Sequence, residues 1–408
     1  AADPLYSLVD TAFVGHLGTV ELGAVAVGTA AFTASFWLFS FLAYGVTPKV
    51  ARAVGAEDPR TATEVGVQAL FLGTALGIVV AIVGTLFAAP IVDVLGAEGR
   101  VAAQAESYLR IRILAAPFVL VVTVCHGWMR GAQDTRTPMF VVGAGAVLNG
   151  ILDYVLIYPV GWGVQGAAWA TLIGQGLTAV VLVWVVIRRM VPVPWRFDAR
   201  VMRSLLVIGG DLIVRAGSLV AALTIATSVA ARMGVVVLAA WQVTMQLFSL
   251  FALTLDSVAV AGQALVGKQL GTAEPGDARS VGDRLMVLGI ILGVILAVVL
   301  IVPARPLAAL FTEAGAARAA SVGLIVWLGL TQPIAAAAFT LDGILIGAAD
   351  TRFLATSMVA ASALFIGLLF VSLIAEWGAA GLAASMTAWL VARSAMLAVR
   401  FRSEAWIK

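Results

Sequence analysis

Residues 65–88 read VGVQALFLGTALGIVVAIVGTLFA. No charge interrupts them, and about 20 apolar residues in helical form cross the hydrocarbon core of a bilayer. A barrel strand would instead alternate polar and apolar over about ten residues. The run is therefore predicted to be a transmembrane helix. Working outward, runs of the same kind, bounded by charges or Gly/Pro turns, occupy residues 1–15, 31–54, 103–129, 138–157, 164–187, 205–231, 237–266, 285–302, 322–346, 353–374 and 379–399. Together with 65–88 they make twelve.

Composition agrees. The chain has 408 residues, 62% hydrophobic and only 12% charged, against about 25% charged in soluble domains, and its mean hydropathy is +1.05. A soluble fold of this size needs more polar cover. Composition thus excludes a cytosolic enzyme, a disordered chain and a disulfide-built secreted module, which would need more than the single Cys125. The expected fold class is all-α, a polytopic membrane protein of twelve transmembrane helices. The first run is short for a crossing and begins with Ala1-Ala2-Asp3-Pro4 rather than the basic stretch of a signal peptide. The chain is expected to start partway down its first helix.

Lys and Arg placement sets orientation, because cytoplasmic loops are enriched in them. Loops after even-numbered spans, with the C-terminus, hold 18 of the 25 basic residues. Arg188, Arg189, Arg196, Arg200 and Arg203 crowd one such loop; Arg393 is counted with the C-terminal set and Arg112 on the opposite side. Both termini are therefore expected in the cytoplasm, the protein lying in the cell (inner or plasma) membrane. These charges are spread beside apolar spans, so no nucleic-acid partner is expected.

Sliding the chain over itself by 216 residues brings its punctuation into register. Gly18 meets Gly234, Gly55 meets Gly271, Pro59 meets Pro275, Pro90 meets Pro306 and Pro117 meets Pro333. Gly131-Ala132, then Asp134-Thr135-Arg136, meet Gly347-Ala348 and Asp350-Thr351-Arg352. Gly and Pro each constrain the backbone, so this alignment marks two copies of one design. Six spans is an even number, which gives both copies the same topology about an axis along the membrane normal. The predicted organisation is an N-lobe of helices 1–6 (residues 1–190, helix 1 truncated), a cytoplasmic linker (191–200) and a C-lobe of helices 7–12 (201–408). Two six-helix, pseudo-symmetric bundles around a cleft point to alternating access. A duplicated scaffold without transport is the bland alternative.

An acid at bilayer depth costs about 2.5–3.5 kcal/mol on insertion scales, so it is normally paired or functional. Asp10 lies in span 1 and Asp153 in span 5. Asn149, four residues before Asp153, shares its helix face. No Lys or Arg lies within a helical turn of either acid along the chain. If the two face one cavity, mutual repulsion favours taking up a proton or Na⁺ in exchange for a cationic substrate. Otherwise each merely hydrogen-bonds to a neighbouring helix. Asp211 and Arg215, four apart in span 7, are predicted to form a structural pair. Asp256 and Asp342 are candidates for a second cation site in the C-lobe. Glu106 and Arg110 read as a local pair.

Other chemistries are poorly provided for. Two His and one Cys do not readily build a zinc or redox centre. No metal site and no cofactor is expected beyond the coupling ion, H⁺ or Na⁺. His126 reads as a helix contact and Cys125 as a small core residue. Gly55-Ala56-Glu57-Asp58-Pro59 is a turn, and no GxxxxGK[ST] phosphate loop occurs. Energy should therefore come from an ion gradient. The absence of a catalytic constellation argues against a membrane-embedded enzyme. Trp162, Trp195, Trp377 and Trp406 fall near span ends, as in an interfacial belt. Phe36, Trp37, Phe39, Tyr154, Trp241 and Phe248 are candidates to line an apolar cavity for lipophilic cations.

Several motifs, in order, resemble the multidrug and toxic compound extrusion (MATE) family, specifically its DinF-type branch. They are Leu8-Val9-Asp10-Thr11-Ala12-Phe13-Val14-Gly15-His16-Leu17-Gly18, Arg130-Gly131-Ala132-Gln133-Asp134-Thr135-Arg136 and Asn149-Gly150-Ile151-Leu152-Asp153. Gly163-Val164-Gln165-Gly166-Ala167-Ala168-Trp169-Ala170-Thr171, Gly210-Asp211-Leu212-Ile213-Val214-Arg215 and, after Asp256, Ala261-Gly262-Gln263-Ala264-Leu265-Val266-Gly267 complete the set. The resemblance covers essentially the whole chain. It implies twelve helices in two lobes, working within the lipid bilayer, and cation-coupled efflux of small-molecule drug or amphipathic substrates. A monomer is the expected state. The resemblance also implies that N-lobe carboxylates carry the coupling proton or sodium ion. Asp10 and Asp153 match those positions; Asn149, Thr171 and Tyr108 match polar partners in that cavity. The family's helix-1 proline would fall before residue 1. Another branch uses a C-lobe acid pair for Na⁺; Asp342 matches one member, but span 7 lacks the glutamate. The alternative is a lipid-linked saccharide flippase of the same superfamily, which would want a cationic cavity for pyrophosphate.

Overall fold

The computed structural model describes residues 9–37, 39, 41–272 and 277–407, except for the side chains of 34–37. Asp3, Pro4, Leu8 and the side chains of Phe36 and Trp37 lie outside the described residues. Among those described, every regular element is a helix, and ten helical stretches are long and apolar enough to cross a membrane. The chain divides into two compact units, Ala1–Val54 with Asp58–Leu206, and Gly55–Glu57 with Val207–Lys408.

In the first unit residues 9–14 form α1. They are followed by α2 (Thr19–Trp37), α3 (Phe41–Gly55), α4 (Pro59–Leu86), α5 (Ala88–Val94), α6 (Gly99–Arg112), α7 (Ala116–Gly131), α8 (Arg136–Ile157) and α9 (Gly163–Arg189). The second unit is carried by α10 (Ala199–Arg232), α11 (Val235–Gln269), α12 (Asp277–Ile301), α13 (Ala304–Phe311), α14 (Gly315–Gly347), α15 (Thr351–Ile374) and α16 (Gly378–Arg402). The division falls inside α10. The ten spans, α1 and the α2–α3 stretch account for the twelve expected segments.

Three boundaries differ from expectation. The run 31–54 is two helices, the first starting at Thr19. Residues 19–30 lie outside the expected runs, yet they form a helix that packs on α6. The run 103–129 is also two helices, broken by the 3₁₀ turn Ile113–Ala115 just before Pro117. Its counterpart α14 passes through Pro333 unbroken. Finally, α5 and α13 are too short to register as apolar periods, although both begin at matching positions of the repeat.

The repeat reappears as geometry. Gly18 and Gly234 open α2 and α11 with φ of 155° and 115°, a region that favours a residue without Cβ. The paired turns after α7 and α14 put Gln133 and Ala349 in the left-handed region, φ 64° and 60°. Each turn closes its helix the same way, with Asp134 N donating to Met129 O at 2.8 Å and Asp350 N to Leu345 O at 2.9 Å. Each aspartate then ties the turn to an arginine near the C-terminal end of a later helix, α9 or α16. Asp134 pairs with Arg189 at 2.5 Å and Asp350 with Arg400 at 2.6 Å. Partial burial pushes the Asp134 carboxyl up, but bonds from Thr137 and Arg189 outweigh this and hold it at about 2.

The surface is apolar where a soluble protein's would be polar. α12 exposes Val287, Leu288, Ile291, Val294, Ile295 and Val298, a lipid-facing stripe. On α8 the exposed residues include Phe140, Val147, Ile151 and Tyr154, while the buried ones are Pro138, Gly145, Asn149, Asp153 and Ile157. This helix is polar inward and apolar outward. Tyr154 is therefore on the outer face, not in a cavity. Trp241 is packed with Phe365, Met386 and Trp389 in the core of the second unit, a second correction. Trp162, Trp195 and Trp377 are exposed, but Trp406 is buried against Phe401, stacked at 5.4 Å.

The connection between α9 and α10 is anchored. Gln68, buried on α4, donates to Arg196 O at 2.7 Å and accepts from Asp198 N at 3.1 Å, while Thr63 Oγ1 accepts from Val191 N at 3.2 Å. Deleting the amide strands a backbone carbonyl and an N–H. Gln68→Ala is expected to cost about 1–3 kcal/mol, read as a lower melting temperature in detergent. An unchanged melt would show that water replaces the amide at no cost.

Candidate cation-binding site

Asp10, on α1, is 1% exposed. A carboxyl off water needs donors on its oxygens, and three helices supply them. Oδ1 accepts from Asn149 Nδ2 of α8 at 3.1 Å. Oδ2 accepts from Thr171 Oγ1 of α9 at 3.0 Å and from the Tyr108 hydroxyl of α6 at 3.3 Å. The same Asn149 nitrogen donates to Asp153 Oδ2 at 2.7 Å. One amide thus bridges both acids, and their bonded oxygens are no farther apart than those two bonds allow.

Local sequence explains each placement. Asn149 and Asp153 stand four apart, hence on one face of α8. Thr171 also bonds Ala167 O at 3.0 Å, which fixes its hydroxyl. Gly28 on α2 makes room for Tyr108; a Cβ there would collide with the ring. Asp153, Asn149, Thr171 and Tyr108 are all fully buried. Asp153 Oδ1 and Asn149 Oδ1 are buried with no hydrogen-bond partner among the described residues. Such acceptors are rare in folded proteins, and a proton or a small monovalent cation would satisfy them. No cluster of three or more His, Cys, Asp or Glu that could hold a metal ion occurs among the described residues.

Sequence reading missed Arg112, which is counted above with charges outside the bilayer. It is 3% exposed, donates from Nη1 to Gln175 Oε1 at 2.8 Å and lies 3.6 Å from the centroid of the Phe32 ring. A signal was available. Arg112 follows Tyr108 by four residues on α6, so the two share a face.

The second unit arranges its charges differently from expectation. Arg215 on α10 pairs with Asp342 on α14 at 2.6 Å, and Asp211 accepts from Thr351 Oγ1 at 2.7 Å. Bonds to other helices replace the predicted Asp211–Arg215 pair. Arg393 on α16, counted above as a cytoplasmic charge, is buried and also pairs with Asp342. A carboxylate already carrying two guanidiniums is not an open cation site, which corrects the expectation for Asp342. Asp256 is half-buried on α11. Glu106 and Arg110 pair at 2.6 Å, as read.

The MatE family model matches the chain twice, over residues 2–155 and 218–371, the same offset as the internal repeat. The chloroplastic protein DETOXIFICATION 44 of Arabidopsis thaliana is 34% identical, across 94% of this chain and 75% of its own. DNA damage-inducible protein F of Escherichia coli strain K12 is 30% identical, across 98% of this chain and 88% of its own. The fold matches an outward-facing multidrug resistance MATE family transporter of the MOP superfamily with a TM-score of 0.87. That protein is 20% identical, with 99% of this chain and 92% of the other covered.

Proposed function

The chain belongs to the MatE family of multi-pass membrane transporters, and from that premise we propose that it is an antiporter exporting lipophilic or cationic compounds in exchange for H⁺ or Na⁺. It works by alternating access, as a monomer in the cell membrane with both termini cytoplasmic. The reading rests on one observation, the two buried acids bridged by Asn149. With both ionised, the pocket carries negative charge that a medium of low dielectric tolerates poorly. A proton or sodium ion relieves it; so does a cationic passenger. The two occupants therefore compete, and each favours whichever conformation holds it better. A flippase moving pyrophosphate-linked sugar would meet the wrong sign of charge at this pocket.

The test is to load proteoliposomes with ethidium and impose a pH gradient or a Na⁺ gradient separately. One of the two is expected to drive dye movement, and inverting it should reverse the direction. Dye movement at one rate whichever gradient is applied or collapsed would sink the reading.

A further inference from the structure

Arg112 is a buried cation whose hydrogen bond goes to a neutral amide. Arginine keeps its charge at any working pH, and an uncompensated charge away from water is costly. Among the described residues Arg112 has no direct ion pair. Its compensation must come from further off, and the geometry says where. Tyr108, four residues earlier on α6, bonds Asp10, and Thr171, four residues before Gln175 on α9, bonds Asp10 too. The same two helices therefore form two rungs. One holds Asp10 between Tyr108 and Thr171; the next holds Arg112 against Gln175. A helical turn is about 5.4 Å, a spacing over which opposite charges shielded from water still act strongly.

We propose that Arg112 is the resident counter-cation of this pocket, and that by balancing one of the two carboxylates it limits the site to one exchangeable positive charge per cycle. The proposal rests on Asp10 and Asp153 being the coupling acids. Two carboxylates and one guanidinium leave a single net negative charge. One proton, one Na⁺ or one monovalent cationic substrate neutralises it, and a second would leave the pocket positive. Exchange is then one for one and moves no net charge for a monovalent passenger. Among the described residues, the charged or titratable groups facing the pocket are Asp10 on α1, Tyr108 and Arg112 on α6 and Asp153 on α8. α2 contributes Thr29 and Phe32, and α9 Thr171 and Gln175, none of which titrates. Val79, Val80 and Val83 of α4 and Ile91 of α5, none of which titrates, line an apolar cavity with Leu109 of α6.

Ethidium efflux from proteoliposomes, followed against H⁺ or Na⁺ on the side opposite the dye, reads this count as steepness. Wild type and Arg112→Lys should give a Hill slope of about 1, and Arg112→Gln a slope approaching 2. A pair of substitutions discriminates more sharply. Asp153→Asn leaves Arg112 balanced by Asp10, so the empty pocket is neutral and cation dependence disappears. Adding Arg112→Gln to Asp153→Asn restores one net negative charge, and with it cation-driven efflux. A purely structural arginine would leave this double variant as uncoupled as the single. If Arg112→Gln alone misfolds, the doubly negative pocket is the reason, and the double variant, with one negative charge, still decides. A slope unchanged in Arg112→Gln, or a double variant no more coupled than Asp153→Asn, overturns the counter-cation. Should Asp153→Asn itself keep wild-type coupling, the coupling pair is wrong, a different failure with a different signature.

Discussion

Asp10→Asn and Asp153→Asn are each expected to lower cation-driven efflux steeply, toward the rate of vesicles without protein. Asn keeps the size and planarity of the side chain and removes the charge that the pocket exchanges. A coupling free energy of about 1–3 kcal/mol between ion and passenger corresponds to roughly 5–150-fold. Loss of either acid should therefore cost on the order of that factor in gradient-driven rate. The two variants should differ in stability. Asp10 accepts bonds from three helices, and an Asn there must turn an N–H₂ group toward one of those donors. Asp153 accepts a single bond, from its own helix. Asp10→Asn should thus melt at a lower temperature than Asp153→Asn, while both lose coupling. Initial rates under an imposed gradient, taken with melts in detergent, separate the two effects. Either variant driving ethidium at the wild-type rate would remove the acid pair from the mechanism.

Much of the architecture was legible because membrane physics writes it into composition. Long apolar runs give the spans, and Gly and Pro at a fixed offset give the duplication. What stayed hidden depended on packing. Residues 19–30 fall outside the runs because Glu21 and the glycines at 18, 23 and 28 punctuate them, but Gly28 lets α2 approach Tyr108 of α6 closely. Pro117 and Pro333 impose the same local constraint, yet only the first interrupts its helix, so the surroundings decide. In the site, helical spacing links Asn149 to Asp153. No periodicity links either to Asp10, 139 residues from Asn149; the cost of an acid at bilayer depth raised a shared cavity as one of two readings, and resemblance to a family favoured it. Arg112 and Arg393 were read as flanking charges because a basic residue near a span end normally faces water. Their burial depends on helices that lie far away in sequence.

Asp342→Ala is expected to be among the most destabilising single substitutions in the second unit. The carboxylate is 2% exposed and joins α14 to Arg215 of α10 and Arg393 of α16. Arg393 is itself 3% exposed, and beyond Asp342 it has the Trp389 ring, 5.4 Å from its guanidinium carbon. That contact offsets little of a buried charge. Removing the acid leaves two guanidiniums close together without the group that drew them there. Breaking a buried pair on one side costs about 3–5 kcal/mol, a large share of the 5–15 kcal/mol that stabilises a typical domain. Trp389 beside Arg393 should report the loosening as a shift in fluorescence ahead of global unfolding. The cause can be checked by taking away the stranded charge. Asp342→Leu combined with Arg393→Met replaces the contact with apolar groups, and such replacements of buried pairs are often neutral. The double variant should recover part of the lost stability, because it removes the more deeply buried of the two orphaned cations and leaves only Arg215, whose side chain is 19% exposed. Losses that simply add would instead assign the effect to packing of the side chains, and the ionic link between α14 and α16 would then contribute little.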